Sequence, residues 1–146
     1  MSVRCDAAIE ILASIEHPPP AVMTDTTTRK RTIRSFVRRA GRITPSQQRA
    51  FETLWPEYGV EYRVELLAFK QLFGRSAPVV LEIGFGNGET LVEQAAANPD
   101  RDFIGIEVHE PGIGHCMLQA EAAGVTNLRL INHDAIEVLT NQVPHD

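Results

Sequence analysis

The sequence predicts an α/β fold built on a parallel sheet. Short apolar runs, each followed by a stretch with helical patterning, occur at VVLEI (79–83), DFIGIEV (102–108) and NLRLIN (127–132). Alternation of apolar strands with helices is typical of parallel sheets, whose strands are covered on both faces. A glycine-rich segment, LEIGFGNGET, follows the first run directly, which places a tight turn between the first strand and the helix after it.

Two helices are predicted before the sheet. Thr44 suits an N-cap, Pro45 suits the first helical position and Gln47 suits a capping box, so a helix is expected over about 45–54, ended by Trp55-Pro56. A second helix, from about Glu61 to Phe73, would carry on one face the residues Tyr62, Leu66, Phe69 and Phe73. Gly74 is its expected C-cap.

The charge is unevenly distributed, with a basic N-terminal arm followed by an acidic body. Seven basic side chains and no acidic one lie between residues 29 and 42, whereas residues 43–146 hold 6 basic and 15 acidic side chains. A basic arm is typical of contact with nucleic-acid phosphates, and a solvated tail is the plainer alternative. We expect residues 1–43 to be a disordered or mobile arm and 44–146 to be the ligand-binding domain.

The first 28 residues offer little to bury, because they include three consecutive prolines and a threonine-rich stretch. Within them, a short helix could form over the apolar positions Ala7, Ala8, Ile11, Leu12 and Ile15. No apolar run is long enough to span a bilayer and no signal peptide is apparent, so a soluble cytoplasmic protein is expected. Cys5 and Cys116 are interpreted as free thiols, and no metal-binding spacing is found.

The glycine turn is the first candidate for a binding site. Gly84, Gly86 and Gly88 would let a nucleotide-like ligand approach the backbone closely, although a tight connection without a ligand would also use glycine. A dinucleotide fingerprint requires glycine where this chain has Glu89, and Glu82 and Glu89 would repel a pyrophosphate. S-adenosylmethionine carries a sulfonium and an amino group, so acidic neighbours favour it over NAD, whose oxidoreductases are the disfavoured alternative.

Two further acidic residues follow the later strands. Glu107 lies about 20 residues beyond the turn, where a carboxylate accepts from ribose hydroxyls, and Asp134 is placed to accept from an adenine amino group or to cap the next helix. The histidines at 109, 115 and 133 lack a partner at a defined spacing, so a structural or exposed role is expected for each.

Four segments together resemble the bacterial tRNA (guanine-N7-)-methyltransferases, which are class I, S-adenosylmethionine-dependent enzymes with a Rossmann-like sheet. These segments are RSFVRRAGRIT through WPEYG (34–59), LEIGFGNGE (81–89), GIEVHEPGIG (105–114) and NLRLINHDAIEVL (127–139). The resemblance implies methyl transfer to N7 of a guanosine in the tRNA variable loop. It implies cofactor contacts by Glu82, Glu107 and Asp134, and tRNA backbone contacts by the arm residues Arg34, Arg38, Arg39 and Arg42.

The chain departs from that family in one respect. The family continues with a fourth strand ending in an F-P-D-P-W-type motif that holds its catalytic Asp, and this chain stops at Asp146, before the motif. We therefore expect the N-terminal half of the sheet only, no catalytic residue in this chain, weak cofactor binding and no activity of the chain alone. The far edge of the first strand would be unpaired and a template for self-association. A non-catalytic module that binds tRNA or a partner is the alternative.

Overall fold

The computed structural model describes residues 9–13, as backbone, and 42–145. Its strands are β1 (Ile9–Ala13), β2 (Val79–Ile83), β3 (Asp102–Ile106) and β4 (Leu128–Ile131). Its helices are α1 (Pro45–Thr53), α2 (Trp55–Tyr58), α3 (Phe69–Phe73), α4 (Glu89–Ala97), α5 (Glu110–Ala123) and α6 (Ala135–Asn141). From β2 onward, strands and helices alternate as the sequence predicts. The predicted parallel α/β architecture is confirmed.

The four strands form one parallel sheet in the order β1-β2-β3-β4. The pairing register places Ile83 beside Ile106 and Ile106 beside Ile131, so β2, β3 and β4 end at the same level. Because parallel strands share a direction, the loops that follow all three strands emerge at one edge of the sheet. This register brings the glycine turn, Glu107 and Asn132 to a common carboxyl edge.

Two apolar layers cover the sheet, because successive strand residues point to opposite faces. Val80 and Phe103 point to one face and pack with α1, α4 and α5, whereas Leu81 and Ile104 point to the other and pack with α6. Double coverage explains why the strand sequences are nearly all apolar. In the region that is described, no helix is both long enough and apolar enough to cross a membrane.

Local signals fix the start of α1 and the end of α3. The Thr44 hydroxyl accepts from the Gln47 amide, and the Gln47 side chain accepts from the Thr44 amide, which is the predicted capping box. Gly74, at φ 70°, ends α3 in the left-handed conformation that the sequence predicts for it. The end of α1 is less sharp than predicted, because one further helical turn, α2, follows it at Trp55–Tyr58.

The helix predicted over about 61–73 is wrong for its first half. Only Phe69–Phe73 is helical, and residues 60–68 instead run past the end of β4 and along α6. The Val60 amide donates to the Leu130 carbonyl, and the Leu67 amide donates to the Gln142 carbonyl. These long-range hydrogen bonds satisfy backbone groups that a helix would satisfy locally, so tertiary contacts override helix propensity here.

The far edge of β2 is not unpaired, contrary to the sequence prediction. Ile9–Ala13 forms β1, which pairs in parallel with β2 through the whole of that strand. The short helix expected around Ile11 and Leu12 is therefore also wrong, because these residues extend along an open sheet edge that supplies backbone partners. The prediction of a mobile arm elsewhere in residues 1–41 lies outside the described residues.

The side chain of Asn127 fastens the start of β4 to the end of α4. Asn127 is buried, and its Nδ2 donates to the carbonyls of Ala95, Asn98 and Arg101 at 2.8–3.1 Å. These carbonyls belong to the last turn of α4 and to the loop that leads into β3. One side-chain amide therefore bridges the end of α4 and the loop into β3, and it adds to the bonds that the Asn98 and Arg101 carbonyls accept from the Arg101 amide and the Arg75 guanidinium.

Replacing Asn127 by Asp should destabilise the protein by about 2–4 kcal/mol, because a carboxylate of the same shape cannot donate to three buried carbonyls. Urea unfolding followed by circular dichroism measures this difference. Asn87→Asp, at an exposed position, is the matched control and should change stability by less than about 0.5 kcal/mol. Equal unfolding midpoints for the two variants would contradict this role of Asn127.

Candidate functional site

The glycine turn connects β2 to α4 at the carboxyl edge of the sheet. Gly84, Gly86 and Gly88 have φ values of 70°, 63° and 77°, a region that residues with a Cβ rarely adopt. A Cβ added at Gly84 or Gly86 would meet no atom within 4 Å, so the space in front of these two residues is open. The turn therefore presents bare backbone to a ligand, as the sequence predicts.

Helix α5 holds the turn from behind. A Cβ on Gly112 would lie 2.1 Å from the Gly86 carbonyl oxygen, and one on Gly88 would lie 2.4 Å from Cys116 Sγ. Both distances are far shorter than a van der Waals contact. The turn and α5 can pack this closely only because Gly112 and Gly88 have no Cβ at these two contacts.

Glu107, directly after β3, is a hydrogen-bond acceptor for the backbone around it. Its Oε2 accepts from the Gly86 amide at 2.8 Å, and its Oε1 accepts from the amides of Val108 and His109 at 2.9 and 3.1 Å. A carboxylate offers about four lone-pair positions, so the three amides leave about one for a ligand hydroxyl. Glu107 thus fixes the turn in addition to the ribose contact expected of it.

Glu82 is the most unusual side chain of the site. It lies in β2, its exposed fraction is 7%, and no donor reaches its Oε2. Burial raises the pKa of this carboxyl, because desolvation disfavours the charged form. A buried carboxylate oxygen without a partner is costly unless a cation or donor from outside the chain approaches it.

Asp134 caps α6, and an apolar side chain lies beside it. Asp134 Oδ1 accepts from the Ile136 amide at 2.7 Å, which confirms the capping role, and its predicted contact with a ligand stays a prediction. Ile136 itself is 55% exposed in the first turn of α6, a position that sequence reasoning missed. No sequence signal marks this position, because single apolar residues are often exposed on protein surfaces.

The predicted tRNA contacts are not brought together in the described structure. Arg42 is exposed just before α1, and Arg34, Arg38 and Arg39 lie outside the described residues. Their role stays a prediction.

The histidines have local partners. His115 bonds to Gln119, and His133 pairs with Glu137 and stacks on Tyr62. His133 therefore has a carboxylate partner that the sequence analysis did not identify, four residues along α6. Within residues 42–145, no group of three or more His, Cys, Asp or Glu side chains could hold a metal ion.

Comparison with known proteins gives consistent matches. A family model described as "Putative methyltransferase" matches residues 76–146. The tRNA (guanine-N(7)-)-methyltransferase of Photorhabdus laumondii is 59% identical over 114 residues, 78% of this chain and 48% of the relative. The proteins of the same name from Psychromonas ingrahamii and Aeromonas hydrophila are 57% and 58% identical, over 78% and 79% of this chain and 47% and 48% of those relatives.

The parallel sheet, the glycine turn after β2 and the carboxylates at its edge define a partial Rossmann-like methyltransferase fold. With the matches above, the chain is a relative, over 114 residues, of the bacterial proteins named tRNA (guanine-N(7)-)-methyltransferase. It spans about half the length of the curated relatives it matches.

Cys116, behind the glycine turn, should make the protein less stable in alkali. Burial, followed by the nearby Glu82 carboxylate, raises the pKa of this thiol to about 12, whereas a free thiol titrates near pH 8.5. The unfolded chain therefore loses this proton at lower pH than the folded chain, so stability is complete below about pH 8.5 and falls as pH rises towards 12. Between pH 8 and pH 10 the loss should be about 2 kcal/mol.

Urea unfolding of a Cys5→Ser variant at the two pH values measures this loss. The variant Cys5→Ser/Cys116→Ala is the control and should show a pH-dependent loss smaller by that amount, whatever its absolute stability. A thiol reagent at pH 8 should modify Cys116 only after unfolding. Rapid modification of the native Cys5→Ser variant would contradict the burial of this thiol.

Proposed function

We propose that this chain binds S-adenosylmethionine at the glycine turn and forms the cofactor-binding part of a tRNA (guanine-N7-)-methyltransferase. One observation supports the proposal above the others. The Oε2 of Glu82 is buried and has no partner among the described residues, and Glu82 stands in β2 two positions before Gly84 of the turn. It needs a cationic donor, and the amino group of the methionine moiety is one.

The other residues of the site fit the remaining parts of the cofactor. Gly84 and Gly86 leave room for the methionine moiety against the backbone. Glu107 retains about one acceptor position for a ribose hydroxyl. Asp134 stands at the same carboxyl edge for the adenine amino group, and the exposed Ile136 supplies an apolar surface for the adenine ring. The amino group, a ribose hydroxyl and the adenine amino group of the cofactor would thus each face a carboxylate.

The same carboxylates disfavour a dinucleotide. A pyrophosphate needs backbone N–H groups free of acidic neighbours, yet Glu107 already accepts from the Gly86 amide. Glu89 stands in the first turn of α4, where a phosphate would use the helix N-terminus. Charge complementarity therefore supports a cationic cofactor.

The reaction requires the protein mainly to position the methyl donor and the guanine. The bound cofactor supplies an electrophilic methyl group on its sulfonium, and guanine N7 offers a free lone pair with no proton to remove. The residues of this chain hold the donor side in one orientation, through the turn that α5 and Glu107 fix. The basic arm, with Arg34, Arg38, Arg39 and Arg42, would hold tRNA phosphates, and we propose a cytoplasmic location for this activity.

Removing the charge of Glu82 should weaken cofactor binding without unfolding the chain. For Glu82→Gln we expect the Kd for S-adenosylhomocysteine to rise by about tenfold or more, because a charge-assisted hydrogen bond to the amino group is lost. Isothermal titration calorimetry measures the Kd, and thermal unfolding verifies the fold. Glu93→Gln, on the exposed side of α4, is the matched control and should bind like the parent chain. Heat of binding with NADH in place of S-adenosylhomocysteine would overturn the proposed cofactor class.

The 146-residue chain should bind tRNA but not methylate it. The chain spans about half the length of its relatives, and the family resemblance places the guanine-facing residues in the other half. We expect a band shift with unmodified tRNA that weakens steeply with salt, and no N7-methylguanosine after incubation with S-adenosylmethionine. N7-methylguanosine above background would show that this chain suffices for catalysis. Absence of any tRNA shift would contradict both the enzyme assignment and the alternative of a non-catalytic tRNA-binding module.

A further inference from the structure

A cavity of about 560 Å³ lies beyond the end of β4, apart from the glycine turn. Its walls come from α1, from residues 60–62 and from the loops at the carboxyl ends of β3 and β4. The volume falls within the range of small-molecule pockets. None of the proposed cofactor contacts lines the cavity, and it is separated from β2 by the width of β3 and β4, roughly 10 Å.

Two pairs of aromatic rings line this cavity. Phe51 and Trp55 stack with ring centroids 5.8 Å apart, and Tyr62 and His133 stack with centroids 3.6 Å apart and planes within 6° of parallel. Unstacked nucleic-acid bases bind by stacking on such rings. Four rings around one cavity therefore suit a planar, aromatic ligand better than a sugar or a fatty chain.

The polar groups of the cavity are mostly acceptors. Glu61 and Glu110 contribute carboxylates and Gln48 and Asn132 contribute amides, and none of the lining residues that the structure describes is Lys or Arg. Trp55 Nε1 donates to Glu61 Oε1 at 2.6 Å, which holds that carboxylate on the cavity wall. Carboxylates repel a phosphate and accept from the N–H groups of a base. Guanine presents adjacent N–H donors on its Watson–Crick edge, which a carboxylate can accept together.

The basic arm leads directly to this cavity. Ile43 lines it, and Arg42, the last residue of the basic run, precedes Ile43. The capping box at Thr44 fixes the point where the arm joins α1. Phosphate contacts and base contacts are usually made by different residues, the first for affinity and the second for selectivity. Here Arg42 would contact phosphate and the cavity beside Ile43 would contact the base.

We propose that this cavity binds one unstacked guanine base of the RNA, other than the base that receives the methyl group. In the proposed binding mode the methionine end of the cofactor lies at the turn after β2 and its adenine at Asp134, after β4. The methylated base approaches the methionine end, and the cavity beside Asn132 and His133 holds a second base that sets the position of the RNA. This assignment rests on the proposed function, because it takes tRNA as the macromolecule that the arm binds.

Trp55 is the only tryptophan of the chain, so its fluorescence reports occupancy of the cavity directly. We would titrate the full chain with GMP and with CMP, which carry the same phosphate and differ in the base. GMP should change the fluorescence saturably, and CMP should bind at least about fivefold more weakly because its ring stacks less and lacks the paired donors. Saturating S-adenosylhomocysteine should leave the GMP titration unchanged.

Glu110→Gln should raise the Kd for GMP by about tenfold, and Glu57→Gln, an exposed carboxylate outside the cavity, should not change it. Equal affinity of parent and Glu110→Gln, or no saturable response to GMP, would overturn the proposal. Competition by S-adenosylhomocysteine would also overturn it, since the cavity would then be an extension of the cofactor site. Loss of S-adenosylhomocysteine binding with GMP binding intact would instead contradict only the proposed cofactor.

Discussion

The close contact between the glycine turn and α5 is the constraint on which the site depends. Gly112 approaches the Gly86 carbonyl so closely that position 112 has no room for a side chain. With α5 behind the turn and Glu107 bonded to the Gly86 amide, the backbone of the turn is held from two directions. A ligand therefore meets a surface that is already formed, which reduces the entropy lost on binding.

That preorganisation has an electrostatic cost. Glu82 and Cys116 are both buried near the turn, and burial raises the pKa of each, since a charge there would lack solvation. The Glu82 carboxylate also disfavours ionisation of the Cys116 thiol. A cation bound beside Glu82 would relieve part of this cost, so the same groups that reduce stability in the free protein favour a positively charged ligand.

The sequence was sufficient to predict the parts of the fold that depend on local signals. Apolar runs predicted β2, β3 and β4, and Thr44 with Gln47 predicted the start of α1, because strand burial and helix capping act over a few residues. The errors occur where distant segments supply the partners. Residues 60–68 follow β4 and α6 instead of forming a helix, and Ile9–Ala13 pairs with β2 across a separation of about 70 residues.

For the site, the residues on the backbone turn were predictable and those that support it were not. The spacing of Gly84, Gly86 and Gly88 is visible in the sequence. The packing of Gly112 behind the turn has no periodic signal, and its closeness to Gly86 follows only from how α5 crosses the sheet. The aromatic cavity was missed for a similar reason, since its rings come from α1, from the misassigned segment at Tyr62 and from the loop at His133.

The basic run and the acidic cavity differ in how they interact with an RNA. The basic run at residues 29–42 attracts any phosphate backbone, and this attraction carries no information about sequence. The acidic, aromatic cavity beside Ile43 repels phosphate and admits an uncharged base. In the proposed binding mode, the arm would contact the RNA backbone and the cavity would hold one base. Selectivity for particular RNAs would then arise from a surface apart from the site of methyl transfer.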